Sequence, residues 1–596
     1  MSTTMVQPLP RLLADLRVPA RDGSGLATDV LLPESPGAHP TIVVRTPYGR
    51  RRPFLYGFAR HLNAAGFNIL LQDCRSSADG DGGFLEHEES DGLATLEWLA
   101  GQPWADGQVG LLSLCISNLS NFLALTASPP PGIEIRTVAN VIGVTSMHSS
   151  FYQQGALRLH HSLPWAVMLD PRWASAQAAW QQLPWDHLFR HLPVAGTAEE
   201  AGGASVIWQR LALAQPAYSA DWETFDVRHR LAGLRTPVLH LSGWYDITLD
   251  QVLDLYGRLR SAAPGAPEQR LIVGPWDHSS IFASFLRNGI AATELGARAP
   301  INLLPVLRQW FERWFAGPRQ QEAAACFAAQ PETLLFVMDE EAWIGADGFP
   351  LAQATFQDFY LATGADRRGA LVPRPAAAGE DSFLYDPEDP VPTRGGLIWP
   401  FASQGLVPGP ADQSELENRR DILVYDSPPL AEDLVIAGPV EVDLWAATSA
   451  VDTDFTAKLV DAAPDGTARV IQDGIVRGRF RQGPVREELL EPHRPYLFRI
   501  SLLATAHRFR AGHRVRLEVS SSNFPKFDRN LNTGDPLHTG TAGIPAAQTV
   551  FHGGARPSQL RLPVLSGPTL EALRWTPPAE WRVISKAEGE RVARTA

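Results

Sequence analysis

Val109-Gly110-Leu111-Leu112-Ser113-Leu114-Cys115-Ile116-Ser117-Asn118 reads as a strand that feeds directly into a helix. The apolar run is of strand length, and Asn118 to Ala127 resumes with helical spacing. A sharp strand–turn–helix with small residues two before and two after its apex has the shape of a nucleophile elbow. The common form is G-x-S-x-G; here the flanks are Ser113 and Ser117 and the apex is Cys115. Small flanks are needed because strand and helix crowd the turn. Ser117 and Ser120 also carry hydroxyls, but neither lies at the apex. The bland alternative for Cys115 is a small buried residue, since free cysteine is among the most buried types.

Strand-like and helix-like segments alternate around this stretch. Leu26 to Leu32, Thr41 to Thr46 and Asn68 to Gln72 are short apolar or β-branched runs. Pro53 to Ala65 has helical spacing and stops at Gly66, and Glu89 to Leu99 forms a second helix. Such alternation implies a mostly parallel sheet covered on both faces. From about residue 150 the rhythm breaks into aromatic-rich helical spacing, with Trp165, Trp173, Trp180 and Trp185. Strand-like runs return at Pro237 to Leu241 and Arg270 to Val273, and Leu303 to Trp314 looks helical. Gln320 to Gln330 is Ala/Gln-rich and reads as a linker. Beyond it, period-two alternation at Val440 to Leu444, Phe455 to Leu459 and Arg514 to Val519 argues half-buried strands of an all-β sandwich. The expected organisation is an α/β domain over 1–149 and 233–320, a helical cap insertion over 150–232 and a β-sandwich over 331–596.

Composition narrows the classes. The chain has 596 residues, 44% hydrophobic and 20% charged, enough apolar side chain for sizeable cores. A net charge of −13 argues against gripping nucleic acid or an anionic membrane. Three cysteines, Cys74, Cys115 and Cys326, exclude a disulfide framework. With neither a signal pattern nor an 18-residue apolar run, a soluble cytoplasmic protein is expected. Oligomeric state is not legible.

Two later segments add to the elbow. Leu239-His240-Leu241-Ser242-Gly243-Trp244-Tyr245-Asp246 ends a strand with a carboxylate. Leu271-Ile272-Val273-Gly274-Pro275-Trp276-Asp277-His278 ends the next with a histidine. Nucleophile, acid, histidine is the chain order of the α/β-hydrolase triad. Each group falls just past a strand's C-terminal end, where open α/β sheets bind ligands. Asp277 adjoins His278 and reads as structural.

Thr46-Pro47-Tyr48, Gln72-Asp73-Cys74-Arg75, Gly243-Trp244-Tyr245-Asp246 and Gly274-Pro275-Trp276-Asp277-His278 resemble the CocE/NonD hydrolases. Asp452 to Leu459, Ser520 to Pro525 and Asp528-Arg529-Asn530 resemble that family's C-terminal jelly roll. The resemblance implies an α/β-hydrolase domain with a helical cap, followed by a jelly-roll β-sandwich, with the acyl pocket where they meet. It implies Asp246 as the group orienting His278 and His278 as the general base. Tyr48 and the backbone N–H of Ile116 would form the oxyanion hole. The family's nucleophile is a serine flanked by glycines and followed by tyrosine. This chain departs at Ser113, Cys115, Ile116 and Ser117.

A thiol ionises near pH 8.5, and a neighbouring histidine pushes it lower. A Cys115–His278–Asp246 triad would pass the acyl group through a thioester, which reacts readily with amines and thiols. The leading expectation is therefore an acyl-transfer enzyme, taking an activated ester or thioester donor to an amine or alcohol acceptor. The alternatives are a hydrolase of the same family and a non-catalytic binding protein. No cofactor or metal is expected, since triad and oxyanion hole supply the chemistry. His160-His161 has no nearby ligand to complete a metal site. Trp165, Trp173 and Trp244 are candidate walls of the acyl pocket. Arg50-Arg51-Arg52 is read as a solvated patch, or as a contact for an anionic substrate or carrier-protein arm.

Overall fold

The computed structural model describes residues 11–582 except 76–85, 170–179, 204–206, 214–215, 262–264, 284, 286–300, 365–367 and 400–404. Ten strands build most of the first sheet: β1 Arg11–Pro19, β2 Gly25–Leu32, β3 His39–Thr46, β4 Asn68–Asp73, β5 Ala105–Leu114, β6 Glu134–Val141, β7 Val238–Tyr245, β8 Gln269–Asp277, β9 Thr333–Val337 and β10 Ala342–Ala346. Their order is β1-β2-β4-β3-β5-β6-β7-β8-β9-β10, and Arg574–Trp575 pairs on the far edge. From β4 to β9 every pairing is parallel. These strands are buried on both faces, which is why they read as continuous apolar runs.

Helices cover the sheet. Pro53–Ala64 (α1) starts with proline in its first turn and ends before Gly66, whose φ of +100° is the left-handed geometry a helix stop needs. Glu88–Ala100 (α2), Ser117–Thr126 (α3), Leu249–Ser261 (α4) and Leu303–Trp314 (α5) follow. Two strands, β1 and β6, and helix α4 lie where the sequence reading placed no element. The Gln320 to Gln330 stretch is not a linker. Gln320–Ala328 is helical, as its run of alanines favours, and Phe327 packs on Trp310 at 5.3 Å. Strands β9 and β10 lie beyond the expected boundary at residue 331, yet they extend the first sheet. The apolar run Thr333–Val337 is buried throughout and continues the parallel ladder beside β8.

The cap between β6 and β7 holds short helices, among them Leu159–Met168 and Trp185–Arg190, and a two-residue hairpin at Tyr152–Gln153 and Ala156–Leu157. After β10 the chain forms a jelly-roll domain, with eleven further strands among the described residues, paired almost entirely antiparallel. Its layers meet face to face, with the Phe455 and Phe498 rings 4.8 Å apart.

A buried ion cluster ties cap to jelly roll. Arg477, on strand Ala468–Arg477, donates to both Asp454 and Asp528 over 2.8–3.0 Å. Asp528 in turn accepts from the Leu157 N–H at 2.9 Å, and its own N–H reaches the Leu157 carbonyl. The guanidinium offsets the charge of two buried carboxylates; even so, burial pushes Asp454 up to about 6. Replacing Arg477 with Met leaves both acids unpaired inside the seam. The expected cost is about 3–5 kcal/mol, measured as a lower urea midpoint; an unchanged midpoint would mean that the cluster does not hold the seam.

Candidate active site

Parallel pairing sets the site's coordinates. Leu114 lies beside Val141, Val141 beside Leu241, and Leu241 beside Ile272. One register line therefore crosses β5, β6, β7 and β8 close to their C-terminal ends. Cys115 follows it by one residue, Asp246 by five and His278 by six, all at the C-terminal ends of the parallel strands.

Cys115 adopts φ +55°, a strained geometry for a residue with a Cβ. Its N–H donates to the Val141 carbonyl, and its own carbonyl accepts from Asn118 and Val144 N–H groups. These bonds hold the bend, and Gly143 leaves the room for it. A Cβ at Gly143 would meet the Asn140 amide oxygen at 1.8 Å and the Asn118 side chain at 2.6 Å. The Ile116 N–H, next in the chain, has no backbone partner among the described residues.

Asp246 is fully buried. Its Oδ1 accepts from the Thr248 N–H at 2.7 Å and the Thr248 hydroxyl at 2.6 Å, which leaves Oδ2 facing His278 Nδ1 at 2.9 Å. The Cys115 side chain lies close enough to the same ring for its charge to act on it. Burial by itself pushes the His278 imidazolium down. The Asp246 charge, then Cys115, outweigh it and hold the ring well above its ordinary 6.5.

The Tyr48 hydroxyl donates to Cys115 Sγ at 3.6 Å and accepts from the Trp165 indole N–H at 3.1 Å. Burial, then the Cys115 charge, raise this phenol well above 10, so it stays a proton donor. Trp165 thus acts on the site by orienting Tyr48. Asp277 Oδ1 accepts from the N–H groups of Ser279 and Ser280 and shapes the turn around His278.

Four sequence-read residues, Cys115, His278, Asp246 and Tyr48, come together, with Ile116 and Trp165 beside them. Trp244 does not join them. It is fully buried in the opposite core, its indole N–H donating to the Phe336 carbonyl at 2.7 Å. Trp173 lies outside the described residues. Arg50 and Arg51 are not a free patch: Asp15 and Asp29 bind both, and Asp73 also binds Arg50. The sequence reading missed His161 and Trp399. The His161 ring sits 5.8 Å from Trp399, and burial and the His278 charge push it down to about 3. The His160-His161 pair itself was visible but weighed only as a metal site.

Among the described residues, no helix is long and apolar enough to cross a membrane. Residues 22–280 match the family model described as X-Pro dipeptidyl-peptidase (S15 family). Residues 326–561 match the X-Pro dipeptidyl-peptidase C-terminal non-catalytic domain. Cocaine esterase of Rhodococcus sp. (strain MB1 Bresler) is 30% identical over 587 residues, covering 93% of this chain and 98% of that protein. Two solved structures share the fold over 95% of this chain and 99% of theirs. One is an aminopeptidase from a marine sediment Thaumarchaeota archaeon, with a TM-score of 0.77 at 24% identity. The other is an α-amino acid ester hydrolase, with a TM-score of 0.74 at 22% identity.

A raised His278 value makes the charged ring stabilising. That contribution is complete below about 6.5 and is lost as pH rises through the raised value. Asp246→Asn removes the largest upward influence. His278 should then titrate lower in an imidazole NMR titration, and stability should begin to fall at a lower pH. A titration that does not move would show that Asp246 does not hold the ring.

Proposed function

The chain belongs to the CocE/NonD hydrolases, and from that premise we propose that it cleaves acyl esters or thioesters through an S-acyl intermediate on Cys115. One juxtaposition supports the reading. The Cys115 sulfur lies between the Tyr48 hydroxyl, at 3.6 Å, and a His278 ring held from its other side by Asp246.

The Cys115 thiol gives its proton to His278, and the sulfur attacks the acyl carbonyl carbon. The carbonyl oxygen takes up the electron pair and is met by the Tyr48 hydroxyl and the Ile116 N–H. Collapse expels the alcohol or thiol, which leaves with the proton from His278. A water then gives a proton to His278 and attacks the thioester. The Cys115 sulfur departs, takes the proton back, and the free acid is released. Asp246 keeps the ring oriented and stabilises its charged form throughout.

Hydrolysis is the outcome that the family likeness favours over the acyl transfer expected first. Transfer stands as the second reading, and sulfur in place of the family's serine favours it. A thioester yields to amines more readily than an ester does.

Intact-protein mass after mixing with p-nitrophenyl acetate should show one acetyl adduct. Cys115→Ala should lose both the adduct and turnover, by about 10³-fold or more. Tyr48→Phe should lose about 10²–10³-fold in kcat. Full turnover by Cys115→Ala would overturn the mechanism. With an amine present, amide in place of free acid would decide for transfer.

A further inference from the structure

A small pocket opens between the three domains, walled in part by Gln153, Arg158 and His160 from the cap, Ile247 from the hydrolase domain, and Trp399 and Lys526 from the jelly roll. It adjoins the site at two points. Ile247 follows Asp246 in the chain. His161 also lines the wall and feels the His278 charge.

The wall carries buried polar atoms that have no partner among the described residues. Gln153 is 7% exposed, Arg158 6% and His160 1%. Among the described residues, Gln153 Nε2, Arg158 Nε and both ring nitrogens of His160 lack a hydrogen-bond partner. Leaving one such group unmet costs about 1–3 kcal/mol, so this concentration marks a place where a ligand supplies the acceptors. Burial pushes His160 down to about 4, so its neutral ring still offers one N–H.

Charge points the same way. Arg158 binds the Ile247 carbonyl and Asp250, each at 2.7 Å, and Lys526 Nζ binds both Asp473 oxygens at 2.6 and 2.8 Å. Both cations line the pocket, whereas among its described lining residues none is acidic. Each cation is paired with a carboxylate outside the lining, which offsets part of its charge and leaves the wall's own charged groups positive.

We propose that this pocket holds a free carboxylate on the substrate, which makes the substrate a carboxylate-bearing ester or thioester. The carboxylate accepts from Gln153 and His160 under the field of Arg158 and Lys526, while the scissile carbonyl lies at Cys115. The proposal rests on the hydrolytic reading for the cleaved bond, but not for the binding.

Mono-p-nitrophenyl glutarate and its neutral methyl ester form a matched pair. Wild-type kcat/KM should favour the free acid by roughly tenfold or more, and Gln153→Leu and His160→Phe should each bring that ratio towards one. A variant that merely loosens the fold lowers both rates together and keeps the ratio. Equal rates in the wild type, or a ratio that survives in both variants, would overturn the proposal. Calorimetry of glutarate binding to Cys115→Ala reads the pocket without turnover. Binding there, abolished by adding Gln153→Leu, supports the pocket even if no acyl adduct ever forms. Absence of binding overturns the pocket and leaves adduct formation untouched.

Discussion

Parallel hydrogen bonding across four strands is the constraint on which the rest depends. The line from Leu114 through Val141 and Leu241 to Ile272 fixes where β5, β7 and β8 end relative to one another. A one-residue slip would send each side chain to the opposite face. Because the strands are apolar on both faces, any slip would also bury the wrong groups. Core packing and site assembly are therefore one requirement, met by the same ladder.

Strain and support are divided along that edge. Cys115 bears the unfavourable backbone geometry, and three backbone hydrogen bonds keep it there. Asp246 and Tyr48 relax nothing in the backbone; each is oriented by side-chain bonds, from Thr248 and Trp165 respectively. The sulfur sits in a recess where both neighbouring protons are held more tightly, each for its own reason. Burial disfavours a charged phenol, and an adjacent carboxylate favours a charged imidazole.

Much of this was readable in advance. Strand–helix alternation followed from β-branched runs and helix stops such as Gly66. The elbow followed from the small residues around Cys115, and Asp246 and His278 from their places at strand ends. Trp244 was misjudged for a physical reason. A strand buried on both faces carries no polar alternation, so nothing in the sequence says which core its tryptophan enters. Arg50 and Arg51 looked free because their acids, Asp15 and Asp29, lie more than twenty residues away. The Gln320 stretch was read by its low complexity instead of its helix propensity. β1, with its mixed polarity on the sheet edge, gave too weak a period to be seen.

The walls of the pocket beside the site come from separate stretches of the chain. Trp399 and Lys526 arrive from a domain that contributes none of Cys115, Tyr48, Asp246 and His278. Substitutions in one module can therefore reshape that pocket while the Cys115, Asp246 and His278 cluster in another stays unchanged. Conversely, a fragment that stops after β10 would keep Cys115, Asp246 and His278 and lose Trp399 and Lys526.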